Sequence, residues 1–317
     1  MDSAATDRDT PVALPDAEAA ATPESWRARL EEIGEALGYF QPLGADHAAL
    51  FVDDGPVLLV GFDTMEGART ATPDRMPAGH ALARAQGWSY LGLLADGPTW
   101  WRDHHVWGFF DRLVDDAFFE DFDRVVFYGA DMGGYAAAAF SVAAPGATVL
   151  AIRPQATLDP RRAEWDNRFV AHRRLDFTSR YGFAPDMVEG AGAVFVLYDP
   201  DRAPEAMHAA LFARPHVTLL RCRHMGGRPE AELARMGILD ELLRRAGAGT
   251  LTAGDFHRLH RARRDHLPYL LRLLQRLAAR KRHGLTARLA RWALDRQDHP
   301  RLREMKETAE RLHAADG

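Results

Sequence analysis

Short unbroken apolar runs alternate with helical patterns along the middle of the chain. Unbroken runs are typical of strands buried on both faces, as a parallel sheet requires. The runs are Ala48–Val52, Val57–Phe62, Ser89–Ala95, Arg124–Tyr128, Thr148–Ile152, Ala193–Tyr198 and Val217–Cys222. Helical patterns cover Gly79–Gln86, His105–Phe122, Gly133–Ala143, Pro204–Ala213 and Pro229–Ala246. This alternation predicts an α/β fold with a mostly parallel sheet and helices on both of its faces.

The start of the chain has a different pattern. Residues 1–23 are rich in Ala, Asp, Pro and Thr, which predicts a disordered N-terminus. Apolar residues at helical spacing then predict a helix over Glu24–Leu37. The first two apolar runs are separated only by the turn sequence around Asp53-Asp54-Gly55. We therefore expect those two runs to pair as a hairpin, so that the sheet begins antiparallel.

Two segments depart from the alternation and divide the chain further. Residues 155–189 are polar and aromatic, and they predict a cap-like insertion with one helix above the sheet. Residues 251–317 have leucines at helical spacing and predict a C-terminal region of two or three helices. The remaining residues 24–250 form the predicted α/β domain.

Charge changes the expected partners. The 317 residues have a formal net charge of −5, which gives no general attraction to nucleic acid. Residues 255–317 carry 16 Lys and Arg against 8 Asp and Glu, whereas residues 1–254 carry 24 against 37. This asymmetry favours a basic tail that docks on the acidic body or on an oligomeric partner. A homo-oligomer is one of the arrangements that it allows. Nucleic-acid binding is not expected.

Location and cofactors follow from what the sequence lacks. No run has the roughly 18 apolar residues of a membrane helix, and the N-terminus has no secretory pattern, so we expect a cytoplasmic protein without membrane contact. Cys222 is the single cysteine and lies in an apolar run, which indicates a buried thiol. No nucleotide-binding glycine motif occurs, and His104-His105 lack a completing ligand at helical spacing, so we expect neither a cofactor nor a metal.

One strand-to-helix junction carries the candidate chemistry. The apolar run Arg124–Tyr128 leads into Gly129-Ala130-Asp131-Met132-Gly133 and then into a helix. Small residues on either side permit a sharp turn that presents the central side chain at the top of the sheet. The N-terminus of the following helix points its N–H groups at the same place. The pattern therefore predicts that the Asp131 carboxylate is displayed in a cleft.

This junction resembles the nucleophile turn G-x-S-x-G of the α/β-hydrolase superfamily, with Asp131 in the place of serine. More closely, Phe127–Phe140 and Pro154–Pro160 are similar to poorly characterised proteobacterial proteins with G-x-S-M-G-G-Y-A-A at this turn. The resemblance covers roughly residues 48–246. It implies an acid at Asp199 and a general base at His224, since the superfamily places these partners after later strands. It also implies that the backbone of Met132 and of the loop at Asp63 and Thr64 stabilises negative charge.

The aspartate changes the implied reaction. A serine attacks carbonyl groups after a histidine removes its proton. An ionised aspartate attacks an alkyl carbon instead, and a His-activated water then cleaves the resulting ester. The sequence thus predicts a hydrolase of a small organic substrate. The alternative is a catalytically inactive binding or scaffold protein, and Asp201 competes with Asp199 for the role of the acid.

Overall fold

A computed structural model describes residues 17–20, 22–72 and 74–315 of the chain. Most of the predicted disordered N-terminus lies outside the described residues. In its described part, Ala17 and Ala20 are buried, and Thr22 caps the first helix by accepting a hydrogen bond from Ser25 N–H at 3.2 Å. Within the described ranges, no helix is long and apolar enough to cross a bilayer.

Eight strands form one sheet in the order β1-β2-β4-β3-β5-β6-β7-β8. Strand β2 is antiparallel to both of its neighbours, and all later neighbours are parallel. The strands are β1 (Gly38–Leu43), β2 (His47–Val52), β3 (Val57–Thr64), β4 (Ser89–Ala95), β5 (Arg124–Ala130), β6 (Thr148–Ile152), β7 (Ala193–Tyr198) and β8 (Val217–Arg221). This sheet confirms the predicted α/β fold class, a mostly parallel sheet with helices on both of its faces.

The predicted hairpin between the first two apolar runs is wrong. Those runs became β2 and β3, and β4 lies between them in the sheet. The antiparallel start comes instead from β1, which pairs with β2 from Gly38 opposite Val52 to Leu43 opposite His47. Strand β1 is half-buried and contains Pro42, which is typical of an edge strand and hides the strand pattern in the sequence.

Fourteen α-helices are described. They are α1 (Pro23–Leu37), α2 (Met65–Ala71), α3 (His80–Gln86), α4 (His104–Asp115), α5 (Met132–Phe140), α6 (Pro160–Ala163), α7 (Ala184–Met187), α8 (Ala203–Leu211), α9 (Pro229–Arg235), α10 (Ile238–Gly247), α11 (Ala253–Leu259), α12 (Leu267–Ala279), α13 (His283–Leu294) and α14 (Pro300–Ala315). Short 3-10 helices occupy Phe118–Asp121, Ser141–Ala143, Asn167–His172 and His260–Asp265.

The sheet has an apolar core on each face. Leu58 and Val60 of β3 face the core that contains α4 and α5, whereas Leu59 between them faces the core that contains α3 and α10. Consecutive side chains of a strand point to opposite faces, so both faces of the central strands are buried. This double burial is the physical reason for the unbroken apolar runs in the sequence.

Two predicted helical regions are divided differently in the structure. The helix predicted over Pro229–Ala246 is broken at Gly237, whose φ of 65° ends α9 before α10 begins. The insertion 155–189 contains α6, α7 and a 3-10 segment rather than one helix. The buried Arg102 holds this insertion by donating hydrogen bonds to the carbonyl oxygens of Asp176 and Arg180 at 2.6 and 2.8 Å.

Candidate active site at the carboxyl edge of the sheet

Asp131 occupies a sharp turn between β5 and α5. Its backbone has φ 54° and ψ −119°, a conformation that non-glycine residues rarely adopt and that costs on the order of 1–3 kcal/mol. The backbone N–H of Asp131 donates to the Ile152 carbonyl at 2.9 Å, which ties the turn to the end of β6. The side chain of Asp131 is 42% exposed. The turn therefore presents a strained, accessible carboxylate at the carboxyl edge of the sheet.

The flanking glycines make this turn possible. A Cβ atom on Gly129 would lie 2.1 Å from the carbonyl oxygen of Gly133, and one on Gly133 would lie 2.6 Å from that of Phe62. Neither position has room for a side chain, because α5 packs directly against β5 and β3. Met132 is the first residue of α5, and the first N–H groups of a helix have no partner within the helix.

The carboxylate of Asp131 forms an ion pair with Arg153, a residue that the sequence analysis did not single out. Arg153 follows β6, has a positive φ of 52° and a side chain that is only 10% exposed. Nη2 of Arg153 contacts Asp131, and Nη1 lies 3.7 Å from Oε1 of Glu205, whose side chain is almost fully buried. Asp131 and Glu205 thus share one buried cation.

Glu205 extends this network to the end of β7. Its Oε2 accepts a hydrogen bond from the backbone N–H of Asp199 at 2.9 Å. Burial raises the pKa of Glu205, while Asp199 N–H and the Arg153 guanidinium oppose that shift. The structure therefore links Asp131 to Asp199 through Arg153 and Glu205, across the ends of β5, β6 and β7.

His224 lies after β8 in a conformation with φ 61°. Oδ2 of Asp199 accepts a hydrogen bond from the backbone N–H of His224 at 3.0 Å, not from its ring. The ring nitrogen Nδ1 lies 3.5 Å from Oδ2 of Asp201 instead. Asp199 therefore shapes the His224 loop, and Asp201 is the carboxylate beside the imidazole. Among the described residues, the ion pair of Asp131 runs to Arg153 and not to His224.

The C-terminal helices complete the surroundings of His224. From α12, Arg272 donates from Nε to the His224 carbonyl at 2.9 Å, and Nη2 of Arg276 lies 3.4 Å from Oδ2 of Asp201. Burial, followed by the charge of Arg276, lowers the pKa of His224. The imidazole is therefore neutral at pH 7, which is the form that a general base requires.

The end of β3 supplies another carboxylate, that of Asp63. Asp63 Oδ1 accepts the backbone N–H of Thr64 at 2.7 Å, and Oδ2 accepts that of Ala78 at 3.1 Å. Burial raises the pKa of Asp63 to about 6. Because the Thr64 N–H already donates to the neighbouring side chain, it is not free to donate to an oxyanion. Thr64 itself caps α2.

Glu230, near the start of α9, is a further acid that the sequence analysis missed. Its Oε1 lies 3.2 Å from Nε of Arg228, whereas Oε2 is buried and has no hydrogen-bond partner within the described residues. Burial raises the pKa of Glu230, and the nearby charge of Asp131 adds to the shift. The region around Asp131 is therefore rich in carboxylates, with Arg153 as a nearly buried cation among them.

A potential metal-ligand group lies elsewhere, at the start of α4. Ligand atoms of Asp103, His104 and His105 lie within 4.8 Å of one another. Asp103 also caps α4, since its Oδ1 accepts the His105 backbone N–H at 2.7 Å. The helix cap explains the position of this carboxylate without a metal.

Comparisons with known proteins add little to this geometry. No family model and no curated protein matches the chain. Similar solved structures include the capsule O-acetyltransferase of Neisseria meningitidis serogroup A, with 11% identity over 66% of this chain and 94% of that chain and a TM-score of 0.44. An esterase from Pyrobaculum calidifontis has 16% identity over 74% and 96% of the two chains and a TM-score of 0.43. The thermophilic carboxylesterase EstE1 from a metagenomic library has 15% identity over 74% and 99%, with a TM-score of 0.41. The fold assignment therefore rests on the sheet described above.

Proposed function

We propose that this protein is a hydrolase of small organic substrates that uses Asp131 as its nucleophile. The observation that carries the proposal is the strained backbone of Asp131, at φ 54° and ψ −119°, on a glycine-flanked turn between a strand and a helix. Strain of this kind persists only where the surrounding structure enforces it, and it occurs most often at functional sites. Here it displays an accessible carboxylate at the edge where parallel sheets bind ligands.

The ion pair with Arg153 determines which oxygen of Asp131 attacks the substrate. Arg153 donates a hydrogen bond to Oδ2 of Asp131, which leaves Oδ1 as the attacking atom. Oδ1 bonds to an alkyl carbon while the bond from that carbon to halide or epoxide oxygen breaks. A halide departs with the electron pair, whereas an opened epoxide oxygen takes a proton from water. Backbone N–H groups of α5, beginning at Met132, stabilise negative charge at the turn.

The second step regenerates the enzyme. Neutral His224 takes a proton from water, and the hydroxide attacks the ester carbonyl of Asp131. The leaving alkoxide takes that proton back from the imidazolium and departs as the alcohol, and the Asp131 acid loses its proton to solvent. Asp201 stabilises the protonated imidazole through Nδ1, while Asp199 positions the loop by accepting the His224 backbone N–H. In this proposal the role of the acid passes from Asp199 to Asp201.

A second candidate is supported by the same ion pair. Arg153 neutralises Asp131 and is itself held by the buried Glu205, so the carboxylate has a structural partner and need not react. An inactive binding protein would use the same cleft for a small ligand. Its distinguishing property is the lack of any covalent intermediate.

Intact-mass measurement after incubation with panels of alkyl halides and epoxides separates the two candidates. In a His224→Gln variant the second step fails, so we expect a stable adduct with the mass of one alkyl group from a halide or of one whole epoxide. The adduct should not form in Asp131→Ala. In Asp201→Asn the adduct should still form, but its hydrolysis should be slower than in wild type. If His224→Gln acquires no adduct and Asp131→Ser gains esterase activity, Asp131 is not a nucleophile and the binding function is favoured.

A further inference from the structure

A partly enclosed cavity of about 150 Å³ lies at the opposite edge of the sheet from Asp131. It lies where β2 ends and β4 begins, and these positions face each other because Val52 pairs with Tyr90. The amino ends of parallel strands lie at the edge opposite to their carboxyl ends, where the candidate active site is. The cavity is therefore separate from the proposed hydrolase site, and a role for it does not depend on that function.

The walls of the cavity are apolar and aromatic. Ile33 and Leu37 of α1 form one side, and the rings of His80, Trp88 and Tyr90 form others. His80 and Tyr90 are perpendicular, with ring centres 5.4 Å apart. A cavity of about 150 Å³ lined by apolar side chains is large enough for a single six-membered ring. The lining therefore fits a monocyclic aromatic group.

One polar group in this wall lacks a partner. His80 is 8% exposed, and its Nδ1 has no hydrogen bond within the part of the chain that the structure describes. Burial lowers the pKa of His80 to about 4, so the ring is neutral at pH 7. Buried polar groups normally have a partner. A ligand inside the cavity can supply one to His80.

The rim of the cavity selects for charge. It carries the exposed carboxylates of Asp53 and Asp54 and a single cation, Arg84. Asp53 also accepts a hydrogen bond from the hydroxyl of Ser89 at 3.3 Å. Asp54 lies beside it at the end of β2, so two carboxylates flank the apolar space. This excess of negative charge favours a cationic group at the rim over an anionic one.

We propose that this cavity binds a small monocyclic aromatic amine. The aromatic ring lies between Leu37, Trp88 and Tyr90, and the ammonium group lies at Asp53 and Asp54. A hydrogen bond from a ring substituent to His80 is the additional contact that such a ligand can make.

Calorimetry and ligand-observed NMR on the full chain test this proposal with three probes that share one phenyl ring. Phenethylamine is the cation, toluene the neutral ring and phenylacetate the anion. We expect phenethylamine to bind about ten-fold more tightly than either of the others. Asp54→Asn should weaken phenethylamine binding about three- to ten-fold without changing that of toluene. Asp46→Asn, which removes a charge from the turn before β2, is the matched control and should change neither.

Filling the cavity tests its location. Val52 lines the cavity and is half-buried, so Val52→Phe should abolish binding of all three probes. Val57→Phe, at a half-buried position outside the lining, should leave binding intact. Leu37→Phe provides a second filled cavity if Val52→Phe does not fold. The proposal is overturned if wild-type protein binds no probe at millimolar concentration, if toluene or phenylacetate binds as tightly as phenethylamine, or if the filled variants still bind.

Discussion

At the scale of single residues, Arg153 is the group on which the candidate site most depends. It is the cation for both Asp131 and the buried Glu205. In Arg153→Met, Glu205 would keep only the more exposed Arg202, whose Nε also lies 3.7 Å from Oε1, and the loss of one partner from a buried pair costs up to about 3–5 kcal/mol. We therefore expect the free energy of unfolding, measured by urea denaturation, to fall by about that amount.

Two further variants separate this ion pair from general effects of losing an arginine. Arg303→Met removes an exposed pair with Asp298 and should cost less than about 1 kcal/mol. Adding Glu205→Gln to Arg153→Met removes the buried charge that has lost its buried partner and should recover much of the lost stability. A single Arg153→Met variant that is as stable as wild type would show that the buried pair contributes nothing to stability.

His224 allows a prediction about pH. Burial and the nearby charge of Arg276 lower its pKa. In Arg276→Gln one of these causes is removed, so the pKa of His224 should rise, as an NMR titration of its ring would measure. Since the base acts when neutral, the acidic limb of any hydrolase activity should move to higher pH by the same amount. Arg280→Gln, directly after the end of the same helix, removes a charge that does not contribute to the shift and should leave the pKa of His224 unchanged.

At the scale of elements, the approach of α5 to β5 determines whether the turn at Asp131 can form. In Gly129→Ala the new methyl group would begin 2.1 Å from the Gly133 carbonyl oxygen, and neither backbone segment can move away. We expect a loss of about 3 kcal/mol or more in the free energy of unfolding. Gly108→Ala is the matched control, because its Cβ would meet nothing within 4 Å in the middle of α4. It should stabilise the protein by about 0.5–1 kcal/mol, and equal effects of the two substitutions would contradict the packing argument.

The strands show which parts of the sheet can be predicted from the sequence and which cannot. The predicted strands Ser89–Ala95 and Ala193–Tyr198 agree with β4 and β7 to the residue, because strands buried on both faces leave unbroken apolar runs. Strand β1 was missed because its half-exposed sequence, interrupted by Gln41 and Pro42, has no such run. The hairpin prediction failed because neighbours in sequence need not be neighbours in a sheet. Strand order depends on which faces the helices cover, and that is not local information.

The same limit applies to the candidate site. The turn at Asp131 was predictable because Gly129 and Gly133 flank Asp131 within a few residues of sequence. Arg153 and Glu205 were not predicted, since a single charged residue after a strand or on a helix has no pattern of its own. Their one signal was position, because Arg153 follows the carboxyl end of β6 and Glu205 lies on the helix after β7. The choice between Asp199 and Asp201 likewise required the direction of the His224 ring.

At the scale of the whole molecule, buried histidines and carboxyl groups give stability two opposing dependences on pH. Burial lowers the pKa of His80 to about 4 and raises that of Asp63 to about 6. Below pH 6.5 the unfolded chain binds a proton at His80 more readily than the folded chain does, so this residue makes stability fall as pH falls from 6.5 towards 4. Between pH 6 and 3.8 the folded chain protonates Asp63 more readily, so Asp63 makes stability rise as pH falls.

Single substitutions should reveal these opposing contributions. His80→Phe removes the first, and it should reduce the loss of unfolding free energy between pH 6.5 and 4 by about 3 kcal/mol. Asp63→Asn removes the contribution of Asp63, so the loss of unfolding free energy between pH 6.5 and 4 should become larger. Urea denaturation at a series of pH values measures both, and the difference between each variant and wild type cancels all other titrating groups. Changes of equal sign in the two variants would mean that burial does not control the proton affinity of His80 and Asp63.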